Sequence, residues 1–231
     1  MTAILPRLNS VRQQISAACA THGRDPDSVH LLAVSKTKPA EMITEAIAAG
    51  QRDFGENYLQ EALEKIELIG HEGIVWHFIG AIQSNKTRPI AEHFDWVHTL
   101  ASAKHARRLA DQRPDSLSPL NVLLQVNISD EDSKAGVRAG DLKPLIEATL
   151  AQDRLMLRGL MAIPRAQTDF NEQRIQFHRL ADLASEMQSV FRDDLASFTD
   201  LSMGMSGDME AAIAEGSTWL RIGTAIFGAR D

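Results

Sequence analysis

Eight short apolar runs alternate with helical patterns along this 231-residue chain, and that alternation restricts the fold more than any other feature. The runs lie at 29–36, 52–55, 74–80, 95–100, 120–128, 155–163, 198–203 and 219–222. Between them, residues spaced three and four apart, such as Leu59, Leu63, Ile66 and Ile69, predict amphipathic helices. Glycine and proline punctuate the pattern: Gly50 stops one helix, Pro114 closes another, and Pro164 ends the sixth strand. Two architectures accommodate such a series, a closed barrel and an open doubly wound sheet. Eight repeats of the unit, with no early Gly-x-Gly-x-x-Gly turn, favour a TIM-type (β/α)8 barrel. At 231 residues the chain suffices for one such domain and leaves no room for a second. A further helix over 3–22, carried by Ile4, Leu8, Val11, Ile15 and Cys19, precedes the first strand and is expected to pack on the barrel.

Several function classes are excluded by composition. The net charge of −7 comes without a basic run, so nothing suggests nucleic-acid binding. The single cysteine, Cys19, cannot form an intramolecular disulfide or a thiolate metal cluster and falls on an apolar helix face. No apolar run reaches the ~18 residues needed to span a bilayer. Arg7, Asn9, Arg12, Gln13 and Gln14 interrupt any apolar leader, which predicts a cytoplasmic protein.

In a barrel, function sits where strands end at their carboxyl side. The first run, VHLLAVSK, delivers Ser35 and Lys36 to that end before Pro39. Strand two ends in Gly55, Glu56, Asn57 and Tyr58; strand three carries His77 and Gly80; strand five ends in Gln125 and Asn127, with Lys134 in the loop beyond. Strand seven runs into MGMSGDM and strand eight into RIGTAIFG. There Ser206 with Gly207, and Gly223 with Thr224, precede helical starts, whose unpaired amides favour an anion. Ordinary helix capping by Ser206 and Asp208 explains the same residues equally well. Arg221 stands between Leu220 and Ile222, so alternation points it away from both, and it needs either an internal carboxylate or a ligand. A ligand with a carbonyl at one end and a phosphate at the other suits the lysine, the cup and the arginine together. Pyridoxal 5′-phosphate meets that description, and so does a sugar phosphate held by an aldolase-type lysine.

The motifs AVSKTKP (33–39), DFGENYLQE (53–61), WHFIGAIQSNK (76–86), QVNISDEDSKAG (125–136), GLMAIP (159–164) and LSMGMSGDMEAAIAEGSTWLRIGTAIFG (201–228) together resemble the small pyridoxal-phosphate homeostasis proteins. The resemblance runs from about Leu31 to Gly228. It implies a fold-type III barrel, like the cofactor-binding half of alanine racemase without its second domain. It also implies an internal aldimine at Lys36, a phosphate held around Ser206, Gly223 and Thr224, and Arg221 facing the pyridine nitrogen. Asn57, His77 and Met203 would line the cofactor. Members of this family are regarded as carriers or regulators of vitamin B6 and amino-acid pools, with apo-enzymes as candidate recipients.

Residue chemistry separates a carrier from an enzyme. A guanidinium beside the pyridine nitrogen disfavours its protonation and weakens the ring as an electron sink. Racemase chemistry then needs two bases; Lys36 is one candidate, and Tyr58, the sole tyrosine, is a weak second. A carrier is therefore favoured, with a racemase of low activity second and a Schiff-base aldolase third. Lys134, Lys38 or Lys86 could supply a second amine for transfer at the mouth, against the simpler reading of solvated loop lysines. Without a dimer-forming second domain the expected state is a monomer.

Overall fold

The computed structural model describes residues 4–129, 131 and 134–229. Asp130, Asp132 and Ser133 of the QVNISDEDSKAG motif lie outside the described residues, as does Ala3, where the expected first helix starts. Eight parallel strands close into a barrel in sequence order: β1 (His30–Val34), β2 (Asp53–Glu56), β3 (Val75–Phe78), β4 (Trp96–Leu100), β5 (Leu120–Gln125), β6 (Leu155–Met161), β7 (Asp200–Ser202) and β8 (Trp219–Ile222). The open-sheet alternative is thereby removed, because β1 pairs with β8 through Leu32 opposite Arg221.

The helices follow the expected periodicity. Helix α1 (Ile4–Thr21) precedes the barrel and buries Ile4, Leu8, Val11, Ile15, Ala18 and Cys19 against α2 (Ala40–Ala48), α8 (Met209–Ala214) and α9 (Thr224–Phe227). The Cys19 thiol is fully buried there, and burial pushes its pKa up, so it packs as a small apolar group. Around the barrel run α3 (Leu59–Ile69), α4 (Thr87–His93), α5 (Ala103–Gln112), α6 (Leu142–Leu150) and α7 (Phe170–Phe191). Asp169 caps α7 as its sequence position predicts, accepting from the amides of Asn171 and Glu172 at 3.0 Å. Among the described residues no helix is long and apolar enough to cross a membrane.

Several boundaries differ from the sequence expectation for local reasons. The first strand stops at Val34, because the chain turns at Ser35, whose carbonyl accepts from the Lys38 amide at 3.1 Å. Lys36 therefore stands just beyond the strand. The helical pattern after the third strand starts at Asn85 in the sequence, but α4 begins at Thr87, since a 3-10 turn over Ser84–Lys86 occupies that start. The seventh strand keeps only three residues, Asp200–Ser202.

Close strand contact at β6 and β7 depends on Gly159, where φ is +154° and a Cβ would lie 1.8 Å from the Asp200 carbonyl oxygen. Any side chain there must push the two strands apart. Gly159→Ala is expected to cost at least about 2 kcal/mol in urea unfolding, in the range of strained or overpacked sites; a loss below a few tenths would contradict the tight pairing.

Candidate functional site

A cavity of about 340 Å³ opens at the carboxyl ends of the strands. Its size falls within the range of small-molecule sites. Lys36 from the turn after β1, Asn57 from the end of β2, and Arg221 from β8 line it, with Ser206, Gly207, Gly223 and Thr224 from the last two loops. Val34, Ile79, Met161, Ile163 and Met205 supply apolar walls. Six of the eight residues expected to hold a ligand thus converge, from positions as far apart in sequence as Lys36 and Thr224.

His77 and Met203 do not line this cavity. Met203 is fully buried in the hydrophobic core. His77 is also fully buried, its ring between Trp96 and Trp219 in the barrel interior: strand alternation points it inward, and the stagger of the strands sets it one layer below the mouth. Tyr58 is 53% exposed at the start of α3 and likewise does not line the cavity.

The Lys36 turn is braced from behind. Thr37, a β-branched residue, sits at φ +63°, in the left-handed region that such residues avoid. Its amide donates to Glu61 Oε1 at 2.6 Å. The same carboxylate receives the ammonium of Lys65 at 2.5 Å, and that ammonium also donates to the Ser35 carbonyl and to Glu56 Oε1, both at 2.8 Å. Ser35 Oγ donates to Glu56 Oε1 at 2.6 Å. Lys65 and Glu56 are both buried, so their charges need each other. Sequence reasoning overlooked this cluster, although Glu61 and Lys65 stand four apart and Lys65 shares a helix face with Ala62 and Ile66.

Arg221 is 5% exposed, and its guanidinium is held by protein carbonyls and a hydroxyl. Nη1 donates to the Ser202 carbonyl at 2.6 Å and to Ser202 Oγ at 2.8 Å; Nη2 donates to the Ala162 carbonyl at 2.9 Å. Burial lowers its pKa to about 10, opposed by the charge of Asp208, which leaves it cationic at neutral pH. Asp208 shapes the neighbouring loop by accepting from the Met205 amide at 2.6 Å, and its own pKa is raised by burial. Asn57 lines the cavity, while its Oδ1 is buried out of solvent with no hydrogen-bond partner among the described residues. At the cup, the Thr224 and Ala225 amides begin α9 and have no acceptor within the helix. The site therefore offers an amine, a cationic floor and a rim of hydroxyl and amide donors.

The fold is that of the alanine racemase N-terminal domain class, whose family matches residues 7–231. Two curated relatives named pyridoxal phosphate homeostasis protein match over the whole chain. The one from Escherichia coli (strain K12) is 52% identical, with 98% of its own length covered, and the one from Pseudomonas aeruginosa is 54% identical, with 97% covered. Among solved structures, PipY of Synechococcus elongatus PCC7942 with PLP bound is 39% identical, with a TM-score of 0.83, over 97% of this chain and 100% of that one. The chain belongs to the pyridoxal phosphate homeostasis protein family.

Replacing Lys65 with methionine leaves Glu56 and Glu61 without their cation. Lys65→Met is expected to lower stability by about 3 kcal/mol at neutral pH. Burial already raises the folded-state pKa of Glu56, and removing Lys65 raises it further. The folded state then binds more protons than the unfolded one, so the deficit shrinks as pH falls into the carboxyl range. Denaturant unfolding between pH 7 and pH 4 reads this; a deficit that grows on acidification would contradict the brace.

Proposed function

We propose that this protein binds pyridoxal 5′-phosphate in the cavity at the carboxyl mouth and carries the cofactor for delivery to apo-enzymes. The observation that carries the reading is the convergence of Lys36, Arg221 and the Ser206, Gly223 and Thr224 cup on one cavity. Bound there, the cofactor supplies an aldehyde that condenses reversibly with a primary amine, releasing water. Lys36 is the amine placed to receive it. Ser206, Thr224 and the amides at Gly207 and Gly223 would hold the phosphate, with Arg221 toward the ring nitrogen and Asn57 in the wall beside it. The apolar walls of Val34, Ile79, Met161 and Ile163 exclude water from the ring faces.

Delivery, in preference to catalysis, is supported by the groups around the cavity. Among the described residues that line it, Lys36 is the only base; Tyr58 is exposed elsewhere. Two-base proton transfer at an amino-acid α-carbon requires a second one within hydrogen-bond reach. The cationic Arg221 further opposes protonation of the ring nitrogen and so weakens carbanion stabilisation. Cofactor-loaded protein in deuterated water is therefore expected to exchange amino-acid α-protons no faster than free cofactor; rapid exchange or racemisation would make it an enzyme.

Lys36→Ala is expected to abolish the visible absorption band of the lysine-linked cofactor, leaving the spectrum of free aldehyde. Retention of the band would move the anchor elsewhere.

Lys134 stands at the rim, its ammonium 3.4 Å from the Ile163 carbonyl and 3.7 Å from Glu131, and Ile163 lines the cavity. It is the amine we assign to the outward step of transfer. Lys134→Ala is expected to slow cofactor release to an apo-enzyme without removing the Lys36 band; unchanged release would end that assignment. Lys38, by contrast, is engaged with the Ala229 carbonyl at 2.6 Å.

A further inference from the structure

We propose that Asp53, His77, His98 and Ser202 form a directed hydrogen-bond relay through the barrel interior that positions the Arg221 guanidinium for a heteroaromatic ring nitrogen. The proposal rests on reading the cavity as a pyridoxal-phosphate site and goes beyond it by assigning a role to groups that do not touch the ligand.

The links run without a gap. His77 Nε2 lies 3.1 Å from Asp53 Oδ1, and His77 Nδ1 lies 3.0 Å from His98 Nε2. His98 Nδ1 lies 2.9 Å from Ser202 Oγ, and Arg221 Nη1 donates to that oxygen at 2.8 Å. His77, His98 and Ser202 are fully buried, whereas the Asp53 side chain is 27% exposed toward the amino-terminal end of the barrel. The relay therefore joins one end of the barrel to the floor of the cavity at the other.

Chemistry fixes the direction of every link. A carboxylate only accepts, so His77 Nε2 carries the proton it donates to Asp53. Burial disfavours a charged imidazole at both histidines. A neutral His77 then presents Nδ1 as an acceptor, and His98 must donate from Nε2. His98 Nδ1 is left as an acceptor, so the Ser202 hydroxyl donates to it. That hydroxyl proton is then committed, and the Ser202 oxygen is free to accept from Arg221.

All four ring nitrogens are satisfied in a space packed by Trp96 and Trp219. Apolar side chains of the same volume would fill that space at lower desolvation cost. What the polar relay adds is a single orientation for Ser202 Oγ, and through it for Arg221, whose other contacts are the carbonyls of Ser202 on β7 and of Ala162 just after β6. Asp53 supplies the anionic end that prevents the chain from reversing.

The test uses the full chain with 15N-labelled histidine, observed by NMR before and after adding pyridoxal 5′-phosphate. In the ligand-free wild type both His77 and His98 are expected as the Nε2–H form. Adding the cofactor is expected to shift His98 Nδ1, since it alters the Arg221–Ser202 link. Ser202→Ala, a small change in a buried strand, should abolish that shift and weaken cofactor binding about tenfold. Asp53→Asn, at the partly exposed end, should allow the His77 tautomer to reverse. An Nδ1–H form at either histidine in the wild type overturns the relay even if no cofactor binds. A wild type that binds, with Ser202→Ala keeping both affinity and the His98 shift, also overturns it. Failure of the wild type to bind at all, with the tautomers as stated, overturns the cavity reading and the positioning role together while leaving the hydrogen-bond chain standing.

Discussion

Closure of eight parallel strands places every second strand residue in a space that water does not enter, and most of this structure follows from that constraint. A polar residue on the inner face must find a protein partner or a ligand. In the lower layers it finds protein. Asp53, His77, His98 and Ser202 satisfy one another, and Trp219 donates from its indole nitrogen to Asp200 at 2.9 Å. At the upper layer Arg221, held by Ser202 and the Ala162 carbonyl, also lines the cavity, and Asn57 Oδ1 has no partner among the described residues.

The same logic explains the back of the site. The turn that presents Lys36 includes a non-glycine residue at positive φ, a conformation costing about 1–2 kcal/mol where nothing compensates. The Glu61 bond to the Thr37 amide and the Lys65 bond to the Ser35 carbonyl supply that compensation from α3. Two lysines thus lie near one turn with opposite duties. Lys65 is buried among carboxylates and fixes the backbone, and Lys36 faces the cavity.

Much of this was legible in the sequence because strand and helix periods are visible without tertiary context. The barrel, the outer helix α1, and the gathering of Lys36, Arg221 and the two late loops follow from counting strands and reading their carboxyl ends, whereas Asn57 was singled out through the family resemblance. His77 shows where the method stops. Its place at the end of an apolar run suggested the mouth, but one strand layer, about 7 Å for two residues, separates mouth from interior. Only the stagger of a closed barrel decides which side of that boundary a residue takes. The Lys65 brace was hidden for another reason: a lysine on a helix is solvated by default, and only burial against β2 reveals its role. Glu56, half of that brace, was assigned only to a strand end.

Lys36 as the anchor is the central claim, and reductive trapping tests it most directly. Wild-type protein mixed with pyridoxal 5′-phosphate, reduced with borohydride, digested and mapped by mass spectrometry should carry the pyridoxyl group on the peptide containing Lys36 at near-stoichiometric yield. Label on the Lys65 peptide, or label scattered at low yield over surface lysines such as Lys86, would contradict the account.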